Sequence, residues 1–398
     1  MIKYFSHVKH KKAHFFEVIS MKQTAKEANI RNSNIELLRI VCIFLIILRH
    51  YSTQVNYGDI NTEVWTWQRL FLQVITIGGS TANNIFLLIS GYFLIGKKVN
   101  FKRVVVLIAE MFFYSWIIMI VLYTTGVLPF SFKEMGKALF PIWFGYNWYV
   151  CCYVILCCFL PFINPFLESL SKERYQRLLM ISILIWSVAY TFYGKNYLGT
   201  DFSIDHFVII YALGGYIKKY GLSLKKMKWR NCFIICALVH IASVLSLNLL
   251  GKYLGVKTLI THATFFSDAT NILSVIVATS AFAWVISAKP HYSKGVNIIA
   301  KSVIGVFLIH HNPLMRQVLW EILYPNVNYF TSDYFALHCL IKVSSIFVAC
   351  ILIDQVRLLT VDRLFNIYLD HHWESICVKC NKIKDKVKRL DLFKPDEQ

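Results

Sequence analysis

The sequence predicts an all-α integral membrane protein with about ten transmembrane helices and both termini cytoplasmic. Three observations carry that reading. Of 398 residues, 57% are hydrophobic, above the roughly 45–50% of ordinary globular domains. Apolar runs near the roughly 20-residue length of a bilayer span recur along the whole chain. The 42 Lys and Arg residues also alternate: with the N-terminus placed inside, most fall in the tails and inner loops, the positive-inside pattern. This placement removes the nucleic-acid reading that a net charge of +20 invites. The basic excess sets orientation and attracts anionic lipid instead.

Residues 1–34 are expected to form a basic cytoplasmic tail. They hold no apolar core of the kind a cleaved signal peptide needs, and Met21 would serve as a start as well as Met1. The membrane domain is expected over 35–356. The basic segment 357–398, ending "CVKCNKIKDKVKRLDLFKPDEQ", reads as an inner tail facing phospholipid.

The first span, 35–55, contains "LLRIVCIFLIILRHYS". Arg39 and His50 lie eleven residues apart, which leaves them about 20° from each other on one helix face and roughly 16 Å apart along it. Either they line a shared path, or Arg39 snorkels to inner headgroups while His50 marks the outer interface. The second span, 72–95, carries Asn83, Asn84 and Ser90. The third, 104–125, follows Lys97, Lys98, Lys102 and Arg103 and holds Glu110. The fourth, 143–162, contains "WYVCCYVILCCF", where Cys behaves as a small hydrophobe. Reduced thiols are expected, with no zinc site among the eleven cysteines.

The fifth span is 178–193. The sixth, 204–217, is short, opens on Asp205-His206 as a cap and is interrupted by Gly214-Gly215. The seventh, 232–250, holds His240, read as a core histidine, and the eighth is 269–288. The ninth, 302–314, follows Lys301 and carries His310 and His311, so it is expected to line a wet cavity. The tenth, 336–356, carries His338 and Lys342, which can pair with Glu110 or Asp354. No phosphate-binding loop, dinucleotide motif or internal repeat stands out.

Five stretches, in order, give the chain a family likeness. The opening "SNIELLRIV" with His50 eleven residues beyond Arg39, then "NNIFLLISGYFLIGKK" (83–98), "FKRVVVLIAEMFFYSW" (101–116), "NWYVCCYVILCCFLPFINPFL" (147–167) and "SVIGVFLIHHNPL" (302–314), resemble the membrane-bound acyltransferase family 3. The opening looks especially like that of the branch that modifies bacterial surface polysaccharides. Arg49 departs from the pattern, since another His often stands there in this branch, and the proline often found at the start of the third span is absent.

The resemblance implies a multi-pass protein of the bacterial plasma membrane. It implies acetyl-CoA, or another acyl-CoA, as donor, and the hydroxyl of a surface or lipid-linked polysaccharide as acceptor, with no metal. On that basis His50 is the expected general base and Arg39 positions the donor. Lys97, Lys98, Lys102 and Arg103 are expected at the CoA polyanion. Asn83, Asn84, Ser90, Trp148, Tyr149 and His310 are candidate substrate contacts. For the small polar residues the structural alternative is helix packing; for Trp148 and Tyr149 it is the interfacial aromatic belt. A glycan or acyl-group transporter without catalysis is the competing class.

Overall fold

The structure, a computed structural model, describes residues 32–55, 57, 65–193, 204–222 and 228–389. All regular elements among the described residues are helical. In chain order they are α1 (Ser33–Thr53), α2 (Trp67–Leu94), α3 (Phe101–Thr124), the short α4 (Phe132–Leu139) and α5 (Trp148–Ser169). Next come α6 (Lys172–Ile183, continued through a π turn to Tyr193), α7 (Ile204–Tyr220), α8 (Trp229–Leu254), α9 (Lys257–Thr261) and α10 (Ile272–Ser287). The last are α11 (Lys294–Lys301), α12 (Val303–His310), α13 (Pro313–Gln317), α14 (Phe335–Leu359) and α15 (Val361–Arg389). The expected N-terminal tail lies outside the described residues but for its last three positions. The expected C-terminal tail is helical through Arg389.

Among the described residues, seven helices are long and apolar enough to cross a membrane, or eight if the bent pair α11–α12 and α13 onward forms one span. Against the ten expected, two segments fall short for physical reasons. α1 has the length but carries Glu36, Arg39 and Arg49 within its 21 residues. α7 has 17 residues. The fourth span also differs from the expected 143–162: α5 starts at Trp148 and runs on through Pro161 and Pro165 to Ser169. Membrane helices tolerate proline where neighbours satisfy the freed backbone groups.

α2 is the central strut, packed by α1, α7 and α10. Glycine makes two of these approaches possible. A Cβ on Gly91 would fall on the Tyr211 carbonyl of α7, and one on Gly214 would fall on the Leu88 carbonyl of α2. Gly78 and Gly79 receive Leu45 and Arg49 of α1 in the same way. α8 is peripheral, presenting Ile234, Ile235, Leu238 and Val239 outward, the side-chain character expected of a lipid-facing surface.

At one end of the bundle, Arg357 of α14 joins α3. It contacts Glu110 at 2.8 Å, Asp354 at 2.8 Å and Asp362 at 3.4 Å, and the Tyr114 hydroxyl donates to Asp354 at 2.6 Å. Lys342 therefore does not take the partner expected for it. Its Nζ donates to the Tyr324 carbonyl at 2.9 Å and Asn326 Oδ1 at 2.7 Å, while the Tyr51 hydroxyl bonds His338 at 2.8 Å. The carboxylates lie about three turns along α14 from Lys342, at the Arg357 end.

Candidate active site

The site begins with a stripe on α1. Glu36, Arg39, Ile43, Ile46 and His50 recur at the three- and four-residue steps that keep one helix face turned the same way, and all five line cavities. Asn32 caps the helix, accepting from the Asn34 N–H at 3.1 Å. Ser33 ties its first turn to α11 through Asn297 at 3.1 Å. The Gly78–Gly79 approach holds the opposite half against α2.

Two cavities lie along this stripe. The Arg39 cavity, about 380 Å³, is bounded by Glu36, Arg39, Ser90, Arg103, Tyr149 and Tyr153 among others. The His50 cavity, about 270 Å³, is bounded by Arg49, His50, Trp148, Asp268 and His311 among others. Both include Ile46, Asn83 and Phe307, so they adjoin at a neck made by those three side chains. A third cavity, about 410 Å³, adds Lys97 and Lys98 and shares Arg103 with the Arg39 cavity. One end of the passage is thus basic and the other holds imidazoles.

The break after α12 places the histidines. Asn312 accepts from the Leu314 and Met315 N–H groups at 3.0 and 3.4 Å, and Pro313 starts α13 without needing a backbone donor. The two halves meet at 76°, leaving His310 as the last residue of α12, beside His50. Irregular backbone inside a membrane protein belongs where it lines a cavity.

Hydrogen bonding then fixes the tautomers. His310 Nδ1 lies 2.6 Å from the Val306 carbonyl. A carbonyl only accepts, so Nδ1 carries the proton of the neutral ring and Nε2 offers its lone pair. His50 Nδ1, 3.0 Å from that Nε2, must therefore donate. The remaining nitrogen, His50 Nε2, keeps an unprotonated lone pair. This is the arrangement of a base held by an orienting partner.

The other expected residues divide. Arg39 lines its cavity while paired with Glu36 at 2.9 Å. Lys97, Lys98 and Arg103 line the basic end, whereas Lys102 is engaged by Asp370 of α15. Asn83 sits at the neck, and its side-chain amide makes no hydrogen bond among the described residues; its carbonyl accepts from the Tyr149 hydroxyl at 3.4 Å. Asn84 turns away into packing, donating to the Ala269 carbonyl at 2.7 Å and bonding His206 Nε2 at 2.8 Å. Ser90 lines the Arg39 cavity with its hydroxyl on the Phe86 carbonyl at 2.9 Å. Trp148 lines the His50 cavity and Tyr149 the Arg39 cavity.

Three lining groups escape the sequence reading of individual roles. Arg49 reaches α2, donating to Ser80 and to the Thr76 carbonyl at 3.3 Å, with its stem on Gly79. His311 stacks on Phe307 with centroids 5.0 Å apart. Arg316 follows the break and donates to Gln54 at 2.8 Å. The double histidine before Asn-Pro was the signal for His311, and a charge inside an apolar run the signal for Arg49; Arg316 had none. Among the described residues, no cluster of His, Cys, Asp and Glu could hold a metal ion.

The model of a family described as an acyltransferase domain covers residues 32–354. No curated protein and no solved structure matches the chain.

Proposed function

The chain belongs to acyltransferase family 3, and from that premise we propose an integral membrane O-acetyltransferase acting on a cell-surface or lipid-linked polysaccharide of the bacterial plasma membrane. The supporting observation is the pair of cavities that adjoin at Asn83, one opening beside Arg39 and Arg103 and the other holding His50. In this reading the bundle crosses the membrane ten times, α1 and α7 included, with the Arg39 end cytoplasmic. The basic residues at that end and the Lys-rich α15 favour that orientation.

Acetyl-CoA enters at the Arg39 end. Lys97, Lys98 and Arg103 hold its phosphates, and Arg39, with Glu36, guides the pantetheine arm into the Arg39 cavity. Eleven residues of α1 rise roughly 16 Å, which a pantetheine arm spans. The thioester then lies at the neck. His50 Nε2 takes the proton of an acceptor hydroxyl as its oxygen bonds to the thioester carbonyl carbon. The Asn83 amide donates to the carbonyl oxygen as charge develops there. The carbon–sulfur bond breaks, the acetyl ester stays on the acceptor, and the CoA thiolate leaves, reprotonated from His50 or water.

The test is stoichiometric. The protein in nanodiscs, given acetyl-CoA and glycan extracted from its host's membranes, should release CoA thiol in step with alkali-labile acetate on the glycan. A transporter would consume no acetyl-CoA, so absence of thiol release would overturn the proposal.

A further inference from the structure

Beyond the His50 cavity lies a fourth, about 500 Å³, bounded by Glu134, Lys137, Tyr146, Trp148, His311 and Arg316 among others. It shares Trp148 and His311 with the His50 cavity, so the two form one path at the end away from Lys97 and Lys98. Its charges do not cancel. Lys137 Nζ donates to Glu134 at 2.8 Å, one turn along α4. Arg316 donates to the neutral Gln54 and has no acidic partner among the described residues. A guanidinium has five N–H donors in a planar fork, and Gln54 accepts one of them. The Tyr146 hydroxyl and His311 Nδ1, both buried in this wall, have no hydrogen-bond partner among the described residues. In folded proteins generally, buried polar groups are almost always paired.

We propose that this cavity is the acceptor subsite and that it selects an anionic sugar, with Arg316 gripping a carboxylate or phosphate on the residue beside the one acetylated. The inference rests on the acetyltransferase reading and adds the charge class of its acceptor. An Arg fork matches carboxylate and phosphate oxygens in pairs. Trp148 and Tyr146 supply amphipathic ring surface for a sugar face, and their polar edges face the hydroxyls. With the anion held at Arg316, the chain of the glycan runs past Trp148 and His311 and presents a hydroxyl at His50. A neutral glycan would leave the Arg316 charge desolvated and unpaired, which disfavours it.

The experiment compares acceptors prepared from one glycan extract: native, carboxyl-reduced and phosphate-stripped. Acetate transfer from labelled acetyl-CoA is measured for the parent and for Arg316→Gln and Arg316→Lys, each checked for an unchanged unfolding temperature. With native glycan, Arg316→Gln should raise the acceptor half-saturation about 10- to 100-fold, the worth of a charge-assisted hydrogen bond, with the acetyl-CoA half-saturation unchanged. Arg316→Lys should recover part of that loss. Carboxyl reduction or phosphate removal, whichever strips the recognised group, should bring the parent to the level of Arg316→Gln and leave that variant unaffected. Equal use of native and both neutralised glycans by the parent would overturn the proposal. So would equal losses by Arg316→Gln on all three. If the parent releases no CoA thiol, the acetyltransferase reading itself fails; thiol release with ester formed on every glycan alike sinks only the anionic subsite.

Discussion

Removing the partner of His50 should be a graded loss that disappears once His50 itself is gone. His310 receives the His50 Nδ1–H at 3.0 Å and is itself anchored on the Val306 carbonyl at 2.6 Å. His310→Ala strands a buried donor, which costs about 1–3 kcal/mol and favours the tautomer with the proton on the reacting nitrogen. The rate of acetyl transfer should fall on the order of 10- to 100-fold, since each 1.4 kcal/mol is about tenfold. His50→Ala should lose more, about 10²–10⁴-fold, the usual contribution of a general base. His310→Gln retains a carbonyl able to accept from His50 and should recover much of the loss. The double variant His50→Ala/His310→Ala should be no slower than His50→Ala, because His310 acts through His50. The assay is transfer of labelled acetate from acetyl-CoA in membrane vesicles, normalised to the amount of folded protein. Additive losses in the double variant, or full activity in His310→Ala, would refute the orienting role.

Other substitutions probe the scaffold and the donor end. Arg357→Met leaves Asp354 and Glu110 without their buried cation and should destabilise the protein by about 3–5 kcal/mol, read as a lower unfolding temperature in detergent. Gly214→Ala puts a methyl on the Leu88 carbonyl and should cost about 1–3 kcal/mol as α2 and α7 separate; an unfolding temperature equal to the parent's would show that the helices close without this contact. Arg103→Gln should raise the half-saturation for acetyl-CoA about tenfold by removing a charge-assisted contact. Lys102→Gln should leave it nearly unchanged, because Lys102 is held by Asp370. Equal effects of the two would contradict the assignment of the basic cavity.

What the sequence made legible was mostly local. Arg39 and His50 share a face because helical periodicity alone puts them there, and the structure opens cavities along that face. The Asn-Pro after His311 carries its own chemistry, a cap and a helix start, so a break at the histidines follows from adjacent residues. Partners distant in sequence were not legible. Asn83 shares a helix face with Ser90 by spacing alone, with Asn84 beside it, but where the step of about 100° between neighbours would send Asn84 was not readable; it meets His206 and Ala269. Lys102 looked equivalent to Arg103 until Asp370, far along the chain, took its charge. Arg49 was unplaceable without Gly79, on which its stem lies. Arg357 fell one residue past the expected tenth span, so the buried cation for Glu110 and Asp354 was sought at Lys342. The number of crossings suffered for a related reason: the charges that make α1 a candidate site also lower its apolar character below that of its neighbours.

The central claim is that acetyl passes along α1 from a donor at the Arg39 end to an acceptor at the His50 end. Sealed inside-out vesicles carrying the parent or His50→Ala, supplied with radiolabelled acetyl-CoA, test it most directly. Label is expected in glycan that mild alkali releases as acetate, formed by the parent, lost with His50→Ala, and absent from sealed right-side-out vesicles. Equal label from parent and variant, or none from either, would contradict it.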